Sequence, residues 1–161
     1  MDAERRLPQD AGGECQCLAQ CWFHTGDAFR RDKEGNFYFC DRIKDAIRRR
    51  GENISSFEVE DYLHEHSDVL ECAAVPVRGN DPNDEEVKVV VVRRPGTKLT
   101  AEALITFLIP RMPRFMVPRY VEFAEALPKT ETHKVKKKLL RENPLNERTW
   151  DRDQAGIKVP K

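Results

Sequence analysis

The sequence predicts an α+β domain preceded by a β-hairpin, and three observations support this fold class. The apolar segments follow the order strand pair, helix, strand, strand, helix, strand. Two of them, Val69–Val77 and Val87–Val92, are runs rich in valine, as is typical of strands. Two others begin at good helix-capping residues and carry apolar side chains at helical spacing. We expect the domain to begin near Lys44 or Asp45 and to end near Glu142.

The composition limits the classes of function. A chain of 161 residues has room for one ordinary domain, or for a small domain and a piece of another. Its 28 basic and 28 acidic residues cancel, which argues against a general affinity for nucleic acid. No apolar run approaches the roughly 20 residues that span a bilayer. The N-terminal residues have no apolar core typical of a signal peptide, so we expect a cytoplasmic protein.

The cysteines indicate neither a disulfide framework nor a metal site. Their number, five, is odd, which favours a reducing compartment. Cys15, Cys17 and Cys21 lie close to His24, a grouping for which zinc must be considered. The spacing matches no common structural zinc pattern and no second ligand pair follows, so we predict incidental thiols and no metal.

The first 44 residues divide into two segments. Residues 1–20 show no usable period and are predicted to be disordered or out of context. In residues 21–44, Phe29 and the alternating Phe37 and Phe39 flank a run of turn residues, which predicts a hairpin. An extended segment is expected from Cys40 to Arg50, with Ile43 and Ile47 pointing inward.

The stretch from Asp41 to Glu60 combines a tight turn, a helix start and a cluster of charge. Gly51 marks the turn, and the Ser55-x-x-Glu58 spacing predicts a helix start. The helix should end at His64 or Glu65 and present Phe57, Val59, Tyr62 and Leu63 on one face. Five cations crowd into nine positions, which indicates either an anionic ligand nearby or a solvated face: Arg42, Lys44, Arg48, Arg49 and Arg50.

The rest of the chain predicts strands, one further helix and a tail. A polar loop separates the two valine-rich strands, and the continuous valines of the second predict burial on both faces. Thr100 should cap a helix that Pro110 and Pro113 end. A short strand is expected at Tyr120–Phe123 and a helical turn or two at Lys136–Arg141. Residues 143–161 are polar and are predicted to form a frayed, flexible tail.

Three motifs carry a family resemblance. They are WFHTGD at residues 22–27, DRIKDAIRRRGENISSFEVE at residues 41–60, and LPKTETHKVKKKLLR at residues 127–141. In this order and spacing they resemble the adenylate-forming superfamily of acyl-CoA synthetases, firefly-type luciferases and peptide-synthetase adenylation domains. The matching motifs are Y-x-T-G-D, then G/D-R-x-K/D-D-x-I-K-x-x-G-x-x-I-x-x-x-E-[IV]-E, then P-K-T-x-x-G-K-[IV]-x-[RK]-x-x-L-R. Within the superfamily, the residues look most similar to the carnitine/crotonobetaine-CoA ligase-like branch.

The resemblance implies a domain plan. It covers about three quarters of the chain. Residues 45–142 would be the small C-terminal domain of an acyl-CoA synthetase, a short mixed sheet flanked by helices. Residues 21–44 would be the last hairpin of the large domain together with the hinge.

The resemblance also implies roles at the hairpin and the hinge. Asp27 would accept hydrogen bonds from the ATP ribose, a role that suits a carboxylate; on the residues alone, a turn residue after Gly26 is the alternative. Arg42 would reach toward the nucleotide, and its alternative is an ordinary surface cation. Lys44 occupies the position about which the small domain rotates between the two half-reactions, an assignment that rests on the resemblance alone.

The remaining roles concern CoA and adenylation. Gly51 would border the pantetheine channel of CoA, and Arg48 aligns with a basic position linked to the same half-reaction; a plain turn glycine is the alternative for Gly51. Lys134 would be the catalytic lysine that neutralises charge between the carboxylate and the α-phosphate. The alternative for Lys134 is a solvated or weakly nucleic-acid-binding lysine run. His133 stands where the family has glycine, which puts the geometry of this loop in question.

The implied partner is a large N-terminal adenylation domain, in cis or in trans, because the chain lacks that domain's phosphate loop and acid pocket. The expected ligands are ATP, with Mg²⁺ held mainly by the large domain, CoA, and a carboxylic acid. The chain would then be a truncated gene product, a fragment or one half of a split enzyme. The alternative is a non-catalytic remnant or an interaction module with a basic face, which would bind RNA or DNA in a salt-sensitive way.

Overall fold

The computed structural model of the chain describes residues 18–19, 22–23, 25–79 and 84–160. These residues form ten strands and three α-helices. In chain order they are β1 Leu18–Ala19, β2 Trp22–Phe23, β3 Asp27–Arg31, β4 Phe37–Arg42, β5 Ile47–Arg49, β6 Glu52–Ile54, α1 Ser56–His64, β7 Val69–Arg78, β8 Glu85–Arg93, α2 Ala101–Leu108, β9 Tyr120–Ala124, α3 Lys137–Glu142 and β10 Thr149–Asp151.

A four-stranded mixed sheet forms the centre of the domain and confirms the predicted α+β class. Its strand order is β10-β9-β8-β7. The neighbours β7 and β8 are antiparallel, as are β9 and β10, whereas β8 and β9 run parallel. The parallel pair follows from the connection through α2, because a crossover helix returns the chain to the same end of the sheet. As predicted, β8 is buried on both faces along most of its length.

The two faces of the sheet are covered by different elements. On one face, α1 and α2 pack through Val59, Leu63, Leu104 and other apolar residues against the odd-numbered valines of β8. The opposite face carries Val90 and Val92, against which residues of α3 and the preceding loop pack. This second layer fixes the loop that contains Lys134 against the back of the sheet.

The predicted helix starts are confirmed. Ser55 caps α1, and its side-chain oxygen accepts a hydrogen bond from the Glu58 amide at 3.3 Å. Thr100 caps α2 in the same way through the Ala103 amide. The predicted buried face of α1 holds for Val59 and Leu63.

Two expectations about inward-pointing residues are wrong. Ile47 is fully buried as predicted, but Ile43 is 66% exposed, because β4 ends at Arg42 and a turn precedes β5. Phe57 is 50% exposed at the start of α1, and its ring contacts that of Phe39 in the hairpin β3–β4. The segment from Cys40 to Arg50 is therefore two strands joined by a turn.

The predicted frayed tail is also wrong, because the segment after α3 is an integral part of the fold. Strand β10 pairs antiparallel with β9, and Trp150, Ile157 and Val159 pack against the core. The Lys88 ammonium, 1% exposed, donates to the carbonyl oxygen of Pro144 at 2.7 Å. Few and isolated apolar residues in a polar sequence give no visible period, yet each covers apolar surface that the sheet leaves open.

Other predictions concern residues that are not described. The proposal for residues 1–20 lies outside the described part, except that Leu18–Ala19 pairs with β2. The polar loop between the two long strands falls mainly on residues 80–83 and also lies outside it. Among the described residues, no helix is long and apolar enough to cross a membrane.

Candidate functional site

The open end of the hairpin β3–β4 places Asp27 and Arg42 side by side. These residues face each other across the two strands, and the Arg42 Nε lies 3.5 Å from the Asp27 Oδ1. The Arg42 side chain is 64% exposed and that of Asp27 is 27% exposed, so both are accessible to a ligand. Thr25 Oγ1 accepts a hydrogen bond from the Asp27 amide, and Gly26 precedes it at φ 75°. The turn thus presents a carboxylate whose orientation its neighbours fix.

The predicted hinge residue, Lys44, lies two residues after Arg42 in the sequence. The Asp45 and Ala46 amides both donate to the Arg42 carbonyl oxygen, at 2.9 and 3.1 Å, which makes a tight turn around the exposed Lys44. The Lys44 carbonyl oxygen accepts a hydrogen bond from Arg141 Nη1 at 2.5 Å, and the same nitrogen lies 3.1 Å from Asp45 Oδ1. A residue of α3 therefore holds the backbone at the predicted hinge.

A buried carboxylate joins the hairpin to α1. Asp41 is 6% exposed, and its Oδ2 accepts hydrogen bonds from the Ser56 amide at 2.5 Å and the Ser56 hydroxyl at 2.9 Å. The Ser55 hydroxyl lies 3.2 Å from the same oxygen. Backbone donors at a helix start favour a negative charge, so Asp41 stabilises the first turn of α1 from outside the helix.

The turn between β5 and β6 carries the residues predicted to face CoA. Arg50 and Gly51 have φ angles of 51° and 84°, the pattern of a type I′ hairpin turn. A Cβ at Gly51 would meet nothing within 4 Å, so glycine is required there for its backbone angle. Arg48 is exposed on the outer face of β5, and the Glu85 carboxylate accepts a hydrogen bond from its amide at 2.8 Å.

A cationic cavity opens beside this turn. It has a volume of about 870 Å³ and is lined by five cations and one carboxylate, together with Phe115 and residues 156–160. The charged residues are Arg49, Arg50, Arg114, Arg152, Lys158 and Asp153. The excess of positive charge suits an anionic ligand.

Arg49 forms the inner wall of the cavity and is almost fully buried. Its guanidinium pairs with Glu86 at 2.7 Å and donates to the carbonyl oxygens of Phe115 and Val117. Burial lowers the Arg49 pKa from its ordinary value, an effect that the Glu86 charge opposes. Within the described residues, the Arg49 Nε is buried without a hydrogen-bond partner.

Lys134 lies exposed in the loop between β9 and α3. Lys129 and Val135 form an isolated antiparallel bridge across the base of the loop. The Thr130 amide donates to the Lys134 carbonyl oxygen at 2.8 Å, and the Thr130 hydroxyl accepts from the Lys134 amide at 3.1 Å. His133 adopts φ 61°, the left-handed conformation that glycine would adopt without strain. The backbone is held firmly while the Lys134 side chain is left in solvent.

Metal binding finds no support in the described part of the chain. No group of three or more His, Cys, Asp or Glu side chains there could hold a metal ion. The cluster of Cys15, Cys17, Cys21 and His24 lies outside it. Cys40 and Cys72 are free thiols, and burial raises the pKa of Cys72 to about 12, which makes this thiol unreactive at neutral pH.

The predicted residues thus fall into three places in the structure. Asp27 and Arg42 are together at the hairpin end, with Lys44 next to them, while Arg48 and Gly51 share the small turn. Lys134 lies on a separate loop, which α3 connects to the predicted hinge. The sequence grouped Arg49 and Arg50 with the cation cluster, but it did not single out the buried Asp41, the cavity residues Arg114 and Arg152, or Arg141. The period of two along a strand was the signal available: if Ile47 points inward, Arg49 should point inward too, and the structure shows both of them buried and Arg48 exposed.

The chain is similar to a known domain family and to several known proteins. Residues 58–134 match the family model described as the AMP-binding enzyme C-terminal domain. Crotonobetaine/carnitine–CoA ligase of Salmonella arizonae is 39% identical over 120 residues, which are 74% of this chain and 23% of the relative. The ligase of the same name from a Proteus species is 42% identical over 119 residues, again 74% and 23%. The chain thus spans less than a quarter of the length of these relatives.

Solved structures show the same similarity. An amide bond synthetase from Marinactinospora thermotolerans superposes with a TM-score of 0.67 at 34% identity, over 78% of this chain and 26% of that one. ATP-bound MatB from Rhodopseudomonas palustris gives a TM-score of 0.72 at 29% identity, over 79% and 25%. By motif, sequence and fold, residues 58–134 belong to the AMP-binding enzyme C-terminal domain family, and the chain is similar to adenylate-forming ligases over about three quarters of its length.

Proposed function

We propose that the chain is the mobile C-terminal domain of an ATP-dependent, AMP-forming acid–CoA ligase and works with a large adenylation domain in cis or in trans. The observation that carries the proposal is the exposed Lys134 ammonium on a loop whose backbone is held by hydrogen bonds to Thr130 and whose flanking residues Leu127 and Val135 pack against the sheet. The names of the similar ligases support it further. They point to a small acid such as carnitine or crotonobetaine as the carboxylate, bound by the large domain.

The proposed reaction has two steps. The carboxylate attacks the α-phosphate of ATP, which gives an acyl-adenylate and releases pyrophosphate, with Mg²⁺ held mainly by the large domain. The thiol of CoA then attacks the acyl carbon, which gives the thioester and releases AMP. Lys134 would serve the first step, because negative charge grows between carboxylate and phosphate in its transition state.

The residues at the hairpin fit the nucleotide. The Asp27 carboxylate is an acceptor with two oxygens, and hydroxyl groups of the ribose are the donors it would take. Arg42 lies 3.5 Å away and offers further N–H groups to the ribose or phosphate edge. Lys44 would be the pivot that exchanges the Lys134 loop for the CoA-facing turn.

The turn and the cavity fit CoA. Gly51 has no side chain and lies in the open, so a ligand can approach the backbone closely. Arg48 and the cavity cations offer positive charge beside it, and the phosphate groups of CoA are anions that arginine and lysine side chains bind. Free Cys40 and Cys72 agree with a cytoplasmic location.

Complementation tests the proposal. The purified chain is mixed with the separately produced large domain of a crotonobetaine/carnitine–CoA ligase, and carboxylate-dependent exchange of pyrophosphate into ATP is measured. We expect exchange from the mixture and none from the chain alone. Lys134→Ala should abolish exchange without weakening the complex, while Lys138→Ala, on the same exposed lysine run, should leave it unchanged. Full exchange with Lys134→Ala would disprove the role of this lysine, and exchange by the chain alone would contradict the need for a partner.

The alternative, an interaction module with a basic face, is less favoured by the structure. Of the lysines at residues 134–138, Lys137 is paired with Glu60 at 2.7 Å and Lys138 lies 3.8 Å from Glu142. The run is therefore partly neutralised. Salt-sensitive binding of RNA or DNA that depends on residues 136–138 would favour the alternative.

A further inference from the structure

Contacts from two elements converge on the predicted hinge. On the hairpin side, the buried Asp41 carboxylate binds the start of α1 through Ser55 and Ser56. On the side of the small domain, Arg141 binds the Lys44 carbonyl oxygen and the Asp45 carboxylate. Both sets of contacts restrict the backbone beside Lys44, which a hinge that only had to be flexible would not require.

Lys137 joins the two sets. Its ammonium lies 2.7 Å from the Ser56 hydroxyl and 2.7 Å from Glu60 Oε1. The Ser56 hydroxyl in turn donates to Asp41, so the chain of polar contacts runs from the hairpin through α1 to α3. Lys137 is three residues from Lys134 and Arg141 is seven, so the same short helix follows the proposed catalytic loop and contacts the hinge.

The geometry of the Arg141 contact depends on the hinge angle. Rotation about Lys44 turns its carbonyl group, and a charge-assisted hydrogen bond weakens steeply when its direction is lost. The contact can therefore form in one hinge state and not in a state in which the carbonyl points elsewhere. A group that binds one of two states shifts the equilibrium by its differential affinity.

We propose that Arg141 is a positioning residue. Through the Lys44 carbonyl it stabilises one hinge state, and so it sets the relative populations of the states used for adenylation and for thioester formation. This inference rests on the proposed two-step function, but its mechanical part concerns the chain alone. Arg141 acts through Lys44 and Asp45 and does not need to touch a substrate.

The mechanical part is tested by hydrogen exchange on the full chain without a partner. The amides of Asp45 and Ala46, which donate to the Arg42 carbonyl oxygen, report the closed turn. We expect Arg141→Gln to speed their exchange about tenfold, the loss expected for one hydrogen bond to a charged group. Lys138→Gln is the matched control, since it removes one cation from α3 at a side chain that is 83% exposed, and it should leave exchange unchanged. Exchange of Arg141→Gln at the wild-type rate would overturn the proposal.

The catalytic part is tested in the complemented enzyme by measuring the two half-reactions separately. We expect Arg141→Gln to change their rate ratio about tenfold, and Arg141→Lys, which keeps the charge, to restore part of the wild-type ratio. An equal fall in both rates would indicate a merely structural role and overturn the proposal.

The remaining outcomes also decide the question. If Arg141→Gln does not fold, Arg141→Lys and Asp45→Asn replace it, and both must alter the exchange and the ratio. If no variant of the mixture is active, the proposed function fails, and the exchange measurement still judges the contact between Arg141 and the hinge.

Discussion

His133 holds a backbone conformation that few side chains tolerate, one residue before Lys134. Its φ of 61° is left-handed, and the family motif has glycine at this point. Histidine enters this region more readily than most residues, and less readily than glycine. The loop therefore keeps the geometry of a glycine loop at a modest cost in strain.

Substitutions at His133 should follow the cost of the left-handed conformation. We expect His133→Gly to leave adenylation by the complemented enzyme at or above the wild-type rate. His133→Val should destabilise the loop by about 1–2 kcal/mol, because a β-branched residue is strained there. Glu131→Val, at an exposed position of the same loop, controls for the added apolar surface. Denaturant unfolding and pyrophosphate exchange provide the measurements, and equal behaviour of the two valine variants would contradict the argument.

At the residue scale, the sequence predicted special backbone conformations better than it predicted the burial of single side chains. The glycine of the family motif left the backbone at His133 an open question, which its left-handed φ answers, and Gly51 was predicted as a turn. Ile43 and Phe57 are apolar, yet both are exposed where the hairpin meets the small domain. Hydrophobicity of a single side chain does not say whether a covering element is present.

Among the elements, the segment after α3 depends on one buried ion pair. Lys88 lies 2.6 Å from Glu122 Oε2, and Asn146 and Thr149 also donate to that carboxylate. Burial alone would raise the pKa of Glu122, but the hydrogen bonds from Lys88 and Asn146 and the Lys88 charge together lower it. The pair thus fastens both β9 and the chain around Asn146 to the central strand.

Because the pKa of Glu122 is lowered on folding, the free energy of unfolding should decrease as the pH falls. Since the folded pKa of Glu122 lies below the unfolded value of about 4.3, the stabilisation is fully present above that value. It is lost as the pH falls through the folded pKa. We expect Glu122→Gln to lower the free energy of unfolding by about 3 kcal/mol at neutral pH, because a buried ammonium is left without its counter-charge, and to weaken the acid dependence.

Denaturant unfolding between pH 3 and pH 7, monitored by fluorescence, measures both effects. The exposed Glu125→Gln serves as the charge-matched control, with little change in stability. An acid dependence that survives in Glu122→Gln would show that another carboxylate is responsible.

Elements with their own start signals were the ones that could be predicted. Ser55 and Thr100 marked α1 and α2, and runs of valine marked β7 and β8. Strand β10 has three residues and no such signal, because it exists through pairing with β9. Its formation depends on a partner distant in sequence, which local patterns do not describe.

On the scale of the whole molecule, the cationic cavity assembles residues from three distant parts of the chain. Arg50 comes from the small turn, Arg114 precedes β9, and Lys158 follows β10. No motif spans such a separation, so the sequence predicted the residues of the hairpin, turn and loop and could not predict the cavity. Each motif is a local segment whose residues indicate local backbone geometry. The cavity, in contrast, forms only when distant parts of the chain come together in the fold.

Removal of the exposed cavity cations should weaken CoA binding and spare adenylation. We expect the combined change Arg50→Gln, Arg114→Gln and Lys158→Gln to raise the KM for CoA about tenfold in the complemented enzyme, since each exposed ion pair contributes about 1 kcal/mol or less. Pyrophosphate exchange, which needs no CoA, should keep its rate.

Lys98→Gln, an exposed lysine outside the cavity, is the control for a loss of positive charge. The KM for pantetheine, which lacks the nucleotide, should not respond to the triple change. A rise that is equal for CoA and pantetheine would place the phosphates elsewhere.

The hairpin β3–β4 has a consequence for how cooperatively the chain unfolds. It is a separate two-stranded sheet, and Phe29, Phe37 and Phe39 are each about half exposed or more. Two strands alone are marginally stable in water, whereas the four-stranded sheet is covered on both faces. In a Trp22→Phe variant, fluorescence of Trp150 in β10 should therefore report unfolding at a higher denaturant concentration than the one at which the hairpin amides lose protection from exchange. One unfolding midpoint would then not describe both units.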